Sequence, residues 1–185
     1  MQAHTAGSRS AKNQAGFTLL DLLFVVALIG LLATMALPGL MRARYAAQAS
    51  SALGTMRLIN SAQLSYAITC GLGFYAPDLP TLGKKPAGAA EAFLTPDLSS
   101  GPTVIRTGYN FSMAITPVVG TPPTCNGLAA GASGPAYAVV ADPLEVSPGA
   151  KFFGTNADGL IYQHSVSFGL TMPESGAPPV GEPIQ

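Results

Sequence analysis

Gly16-Phe17-Thr18-Leu-Leu-Asp21-Leu-Leu-Phe-Val-Val-Ala-Leu-Ile-Gly30-Leu-Leu-Ala-Thr-Met-Ala-Leu-Pro38 is an apolar segment with one carboxylate near its start. Between Phe17 and Met41 the only charged side chain is Asp21. As a helix, residues 17–41 would span ~37 Å, enough to cross a hydrocarbon core of ~30 Å. An acid inside such a segment is costly and marks function. It needs a positive partner.

The preceding residues indicate where that charge comes from. Residues 1–16 carry Arg9, Lys12 and His4 and no acid. They read as a basic leader, not a folding unit. Cleavage after Gly16 would free the α-amine of Phe17, four residues before Asp21, at the spacing where helical neighbours meet.

The run Gly16-Phe17-Thr-Leu-Leu-Asp21-Leu-Leu resembles the prepilin signature of type IV pilins and type II secretion pseudopilins. The resemblance covers residues 9–45, roughly. It implies that a membrane-embedded peptidase cuts between Gly16 and Phe17 and N-methylates Phe17. It also implies a salt bridge between Asp21 and the Phe17 amine of an adjacent subunit. Family members usually carry glutamate at the position of Asp21; aspartate is one methylene shorter and keeps the charge. Gly30 and Pro38 match helix-weakening positions of the family, and Pro38-Gly39 should kink or locally melt the helix.

Two plainer accounts compete. One is a secretory signal peptide cut at Thr34-Met35-Ala36; the other is a signal anchor with an incidental acid. Asp21 within the apolar run and the length of that run count against the first, and the Gly16-Phe17 junction against the second. Loop charge does not orient the segment, because Arg9 and Lys12 precede it and Arg42 and Arg44 follow it. The leader reading puts the N-terminus in the cytoplasm and the bulk of the chain outside.

Four parts follow: a leader at 1–16, a membrane or fibre-core helix at 17–41, a pilin-like globular domain at 42–170, and a Pro/Gly-rich tail at 171–185. The expected fold class is α+β, a long N-terminal helix packed on a small antiparallel sheet. The chain has nine basic and nine acidic residues, and losing Arg9 and Lys12 would leave seven basic. That near-neutral balance counts against a dedicated nucleic-acid binder. Lys84-Lys85 is the only basic pair outside the leader and reads as a solvated loop.

Beyond Pro38 the helical period resumes. Ala52, Met56, Ile59, Gln63, Tyr66 and Cys70 share one face, and Ser50, Gly54, Arg57, Ser61 and Ser65 the other. One helix of ~80 Å from about Phe17 to Thr69 is expected, apolar all round and then amphipathic. Gly71 and Gly73 are its stop signals. Residues 71–102 read as an irregular connection with a helical turn around Ala89–Leu94.

Strand patterns cover Val104–Ile115, Ala136–Ala141, Lys151–Gly154 and Leu160–Gln163. Asp158-Gly159 between the last two predicts a hairpin. Three or four strands would cover the amphipathic half of the helix. Met172–Gln185, with four prolines, reads as a tail or strap of little regular structure.

Cys70 and Cys125 fall in the part outside the cytoplasm, where a disulfide is the default. It would tie the helix end to the loop after the first strand run. No catalytic site is expected. His164 is the one histidine beyond the leader, and no paired-cysteine spacing or glycine-rich phosphate loop accompanies it. Asn156 and Asp158 could offer oxygens to calcium, but two ligands in a tight turn do not make a site. No metal or cofactor is therefore expected.

The resemblance implies a non-enzymatic filament subunit. Its partners would be further copies of itself in a helical filament, the prepilin peptidase and methyltransferase, an inner-membrane assembly platform, and lipid before assembly. The precursor would sit in the inner membrane, and the filament in the periplasm or at the cell surface. A secretion pseudopilin is one alternative. A minor, membrane-tethered pilin that binds DNA or a surface ligand is another.

Overall fold

The computed structural model describes residues 17–184. The leader and Gly16 lie outside the described residues. The chain falls into two compact units that meet between Ala43 and Arg44. Helix α1 (Leu19–Thr69) contributes its first part to one unit and its second part to the other. The helical run is unbroken through Pro38 and Gly39, so the backbone does not melt there.

In the second unit, all six residues read as the inner face of α1 are buried, joined by Thr55, Ala62 and Ala67. The opposite face, from Ser50 through Ser65, is exposed at each of the five positions read that way. The 3.6-residue period alone produces this division. After Thr69 the Gly71 N–H donates to the Tyr66 carbonyl at 2.7 Å, and the Gly73 N–H to that of Ala67 at 2.9 Å. A Cβ on Gly71 would lie 2.0 Å from the Phe74 carbonyl oxygen, so only glycine closes this end.

The connection holds α2 (Leu79–Leu82) and a 3-10 turn at Pro96–Leu98. The helical turn expected around Ala89–Leu94 is absent. Its place is taken by sites with better start signals: Asp78 accepts from the Thr81 N–H at 2.8 Å ahead of Pro80, and Pro96 opens the second turn. The link is held to α1 by buried Gln63. Its carboxamide donates to the Ala76 carbonyl and accepts from the Ala76 N–H, both at 2.9 Å. That exchange satisfies backbone groups with no strand partner.

The sheet has six antiparallel strands in chain order. They are β1 (Thr103–Arg106), β2 (Tyr109–Ala114), β3 (Ala138–Pro143), β4 (Phe152–Asn156), β5 (Ile161–His164) and β6 (Glu182–Ile184). Six strands replace the expected three or four. The run read as one strand over Val104–Ile115 breaks at Thr107-Gly108, both with positive φ (48° and 78°). Two such residues make a tight hairpin turn, and Arg106 faces Tyr109 across it. The sixth strand comes from the C-terminal strap. Pro183, which cannot donate, is tolerated because β6 is an edge. The Asp158-Gly159 hairpin forms as expected between β4 and β5.

One sheet face, with Val104, Phe111, Val139, Ala141 and Phe153, packs on Met56, Ile59 and Tyr66 of α1. The other face is partly covered by the segment after β5, where Phe168 and Met172 pack on Ala138 and Tyr162. Gly154 permits this. A Cβ there would lie 2.7 Å from the Met172 sulfur and 3.1 Å from the Phe168 ring.

Candidate functional site

The first unit has no core of its own among the described residues. Every residue from Phe17 to Arg44 is exposed. This part of α1 is long and apolar enough to cross a membrane. An exposed apolar surface of this extent marks contact with lipid or with other chains.

Asp21 sits in the first turn of that helix. Its Oδ2 accepts two hydrogen bonds from Thr18, one from the N–H at 3.1 Å and one from the Oγ1–H at 2.6 Å. In return the Asp21 N–H donates to Thr18 Oγ1 at 3.2 Å. This is a capping box, in which the first residue caps the helix and the acid three residues on bonds back. Thr18 is the site residue that sequence reasoning missed, and the signal was the Thr-x-x-Asp spacing. Oδ1 of Asp21 takes no hydrogen bond among the described residues. Phe17 stands exposed just before the cap.

Gly30, Pro38 and Gly39 lie within the helical run. Among the described residues a Cβ at Gly30 or Gly39 would meet nothing within 4 Å, so no packing there requires glycine at either position. Pro38 deprives the Thr34 carbonyl of its helical donor. The Thr34 hydroxyl donates to the Leu31 carbonyl at 2.7 Å, a local back-bond of the kind that accompanies helix bending.

Cys70 and Cys125 are disulfide-bonded and join the end of α1 to the β2–β3 loop. Next to the bridge, Asn126 donates to the carbonyls of Thr81 at 2.7 Å and Lys84 at 3.4 Å. Asn126 thus links the bridge to the loop that carries exposed Lys84 and Lys85.

The remaining candidates do not converge. Among the described residues, no three histidine, cysteine or acidic side chains gather to hold a metal. His164 lies beside Phe168, ring centroids 6.1 Å apart. Buried Asn156 donates to the carbonyls of Pro173 (3.2 Å) and Gly176 (2.6 Å), and Asp158 accepts from the Gly176 N–H (2.8 Å). The two residues weighed for calcium thus hold the C-terminal strap.

Residues 11–37 match the family model of the prokaryotic N-terminal methylation motif. No curated protein and no solved structure matches the chain. With an acid-bearing apolar helix following Gly16-Phe17, the chain carries the prepilin signature of the type IV pilins and secretion pseudopilins.

Proposed function

We propose that this chain is a structural subunit of a type IV pilus-like filament. The observation that carries the reading is the placement of Asp21. It is the one acid on an exposed apolar helix, and it stands four residues after the terminus that cleavage at Gly16-Phe17 would create. In this reading the precursor spans the inner membrane through residues 17–41. A prepilin peptidase removes residues 1–16 and methylates Phe17. An assembly platform then moves the helix from lipid into a fibre core. There the free Oδ1 of Asp21 takes the Phe17 amine of a neighbour. A misplaced subunit would leave both charges buried and unpaired, a strong penalty against wrong registers.

A secretion pseudopilin is the second reading. It is favoured by the compact six-stranded sheet and by a disulfide that joins the end of α1 to the β2–β3 loop instead of closing a loop in the C-terminal strap. Mass spectrometry of the mature chain tests the shared core of both readings. The expected N-terminus is N-methyl-Phe17; a functional chain that keeps residues 1–16, or one that begins at Leu37, overturns it. Electron microscopy of sheared surface fibres separates the two, since a pilus subunit is recovered there at native expression.

A further inference from the structure

We propose that a groove on the outer face of the sheet receives the Lys84-Lys85 loop of a second copy of this chain; this rests on the filament reading. The groove, of about 380 Å³, lies between β2–β3 and the segment after β5. Its floor is apolar, with Ala138, Val140 and Met172, and Ser112, Asp142 and Glu174 also line it. The volume is within the range of sites that enclose side chains or small ligands.

Both carboxylates are held in place without being neutralised. Asp142 Oδ1 accepts from the Ser167 hydroxyl and Glu174 Oε1 from the Thr116 hydroxyl, each at 2.8 Å. Among the described residues the one ion pair is Arg106 with Asp97, so neither groove acid has a cation.

The matching cations stand elsewhere on the same molecule. Residues 44–106 carry five basic and three acidic side chains, and residues 107–184 carry one basic and five acidic. Of the three acids in the basic half, Asp78 caps α2 and Asp97 holds Arg106. Lys84 and Lys85 are the one adjacent basic pair there, exposed and without an ion-pair partner among the described residues. The backbone of Lys84 is already held on both sides. The Lys84 N–H donates to the Thr81 carbonyl at 3.2 Å, and Asn126 binds the Lys84 carbonyl. Docking would therefore restrict little besides the two side chains.

Loop and groove are different surfaces, so their contact is heterologous. Repeated from copy to copy, such a contact yields an open helical array when its rotation does not close into a ring, and that is the symmetry a fibre needs. Complementary charge would set partner choice and register.

The test uses cells that assemble wild-type fibres. Lys84→Glu with Lys85→Glu, and Asp142→Lys with Glu174→Lys, are made separately and together. Each pair alone should lower the yield of sheared fibres about tenfold or more, because like charges then face each other. The combined reversal should recover at least about a third of the wild-type yield. Either single reversal at full yield, or a combination no better than its halves, overturns the docking and leaves the filament reading standing. Failure of wild-type cells to make any fibre from this chain overturns both. Should a reversed chain fail to form its disulfide or to accumulate, carbodiimide treatment of wild-type fibres decides. An intermolecular amide between Lys84 or Lys85 and Asp142 or Glu174 supports the contact, and its absence among the other lysine–carboxylate links refutes it.

Discussion

Thr18 directs both its N–H and its hydroxyl to a single oxygen of Asp21, leaving the other oxygen of that carboxylate without a bond among the described residues. The acid therefore has a partner inside its own chain before any cleavage. This explains how a lone acid can sit at the entrance of an apolar helix. Its cost is lowered by the cap and by the positive end of the helix dipole. Asp21→Glu should assemble like wild type, because glutamate also completes a capping box. Asp21→Ala removes the anion that the proposed fibre core requires, and sheared-fibre yield should fall about tenfold or more. Immunoblots of sheared and cell-bound fractions measure both; full-yield fibres from Asp21→Ala would remove Asp21 from assembly.

The Cys70–Cys125 bridge closes a loop of 55 residues. In the chain-entropy account a loop of that length contributes about 4 kcal/mol to stability. The bridge also anchors Asn126 against the Lys84 loop. Cys70→Ser with Cys125→Ser should therefore lower the midpoint of denaturant unfolding of the purified chain in detergent. Hydrogen exchange should rise first in residues 81–86 and 121–128. Unchanged exchange in 81–86 would show that the loop holds its shape without the bridge.

Much of this architecture was legible because it follows periods. The inner face of α1 is legible position by position, since a helix repeats every 3.6 residues and burial follows that repeat. The Asp158-Gly159 hairpin was legible from turn chemistry. What escaped has a local cause in each case. Thr107 adopts a left-handed backbone that threonine seldom takes, so Gly108 alone marks the β1–β2 turn in the sequence. Strand β6 is three residues long and contains Pro183, which reads as a strand breaker until the edge position is known. The period places Gln63 on the buried face, but its bond to Ala76 depends on where an irregular connection returns. At the candidate site, the membrane-embedded acid was conspicuous and its Thr18 partner was not. The same carboxylate serves as a cap and as a charge, and only the charge stands out against an apolar run.

Tyr137 and Tyr109 make stability depend on alkaline pH. Burial pushes both phenols above their ordinary value of 10.0. The Tyr137 hydroxyl donates to Asn60 Oδ1 at 3.1 Å and that of Tyr109 to the Lys151 carbonyl at 2.9 Å. The folded chain thus keeps these protons to higher pH than the unfolded chain does. Above pH 10 the unfolded state releases protons and gains on the folded one, so stability is full below that pH and falls as pH rises through it. Urea midpoints measured from pH 8 to 11.5 should stay level up to about pH 10 and then decline. Tyr137→Phe should flatten the decline while lowering the midpoint at pH 8. An unchanged slope in that variant would place the alkaline transition elsewhere.

The strap is fastened at few points, and Asn156 is the central one. Its buried carboxamide reaches two strap carbonyls, Pro173 and Gly176, from the end of β4. Ala157 and Asp158 add bonds to Glu174 and Gly176 from the adjoining turn. Asn156→Ala would remove both of those bonds, each worth about 0.5–1.5 kcal/mol net in a folded chain. Because β6 follows the strap in sequence, loosening Pro173–Gly176 should also loosen its pairing with β5. The expected outcome is faster hydrogen exchange over residues 173–184 and new protease cleavage in that segment. The α1-facing core, which Asn156 does not touch through these bonds, should keep its protection. Asn156→Asp should fail to rescue, since a carboxylate cannot donate to either carbonyl. If Asn156→Ala exchanges and cleaves like wild type, Phe168 and Met172 hold the strap by packing alone, and the hydrogen bonds are incidental to it.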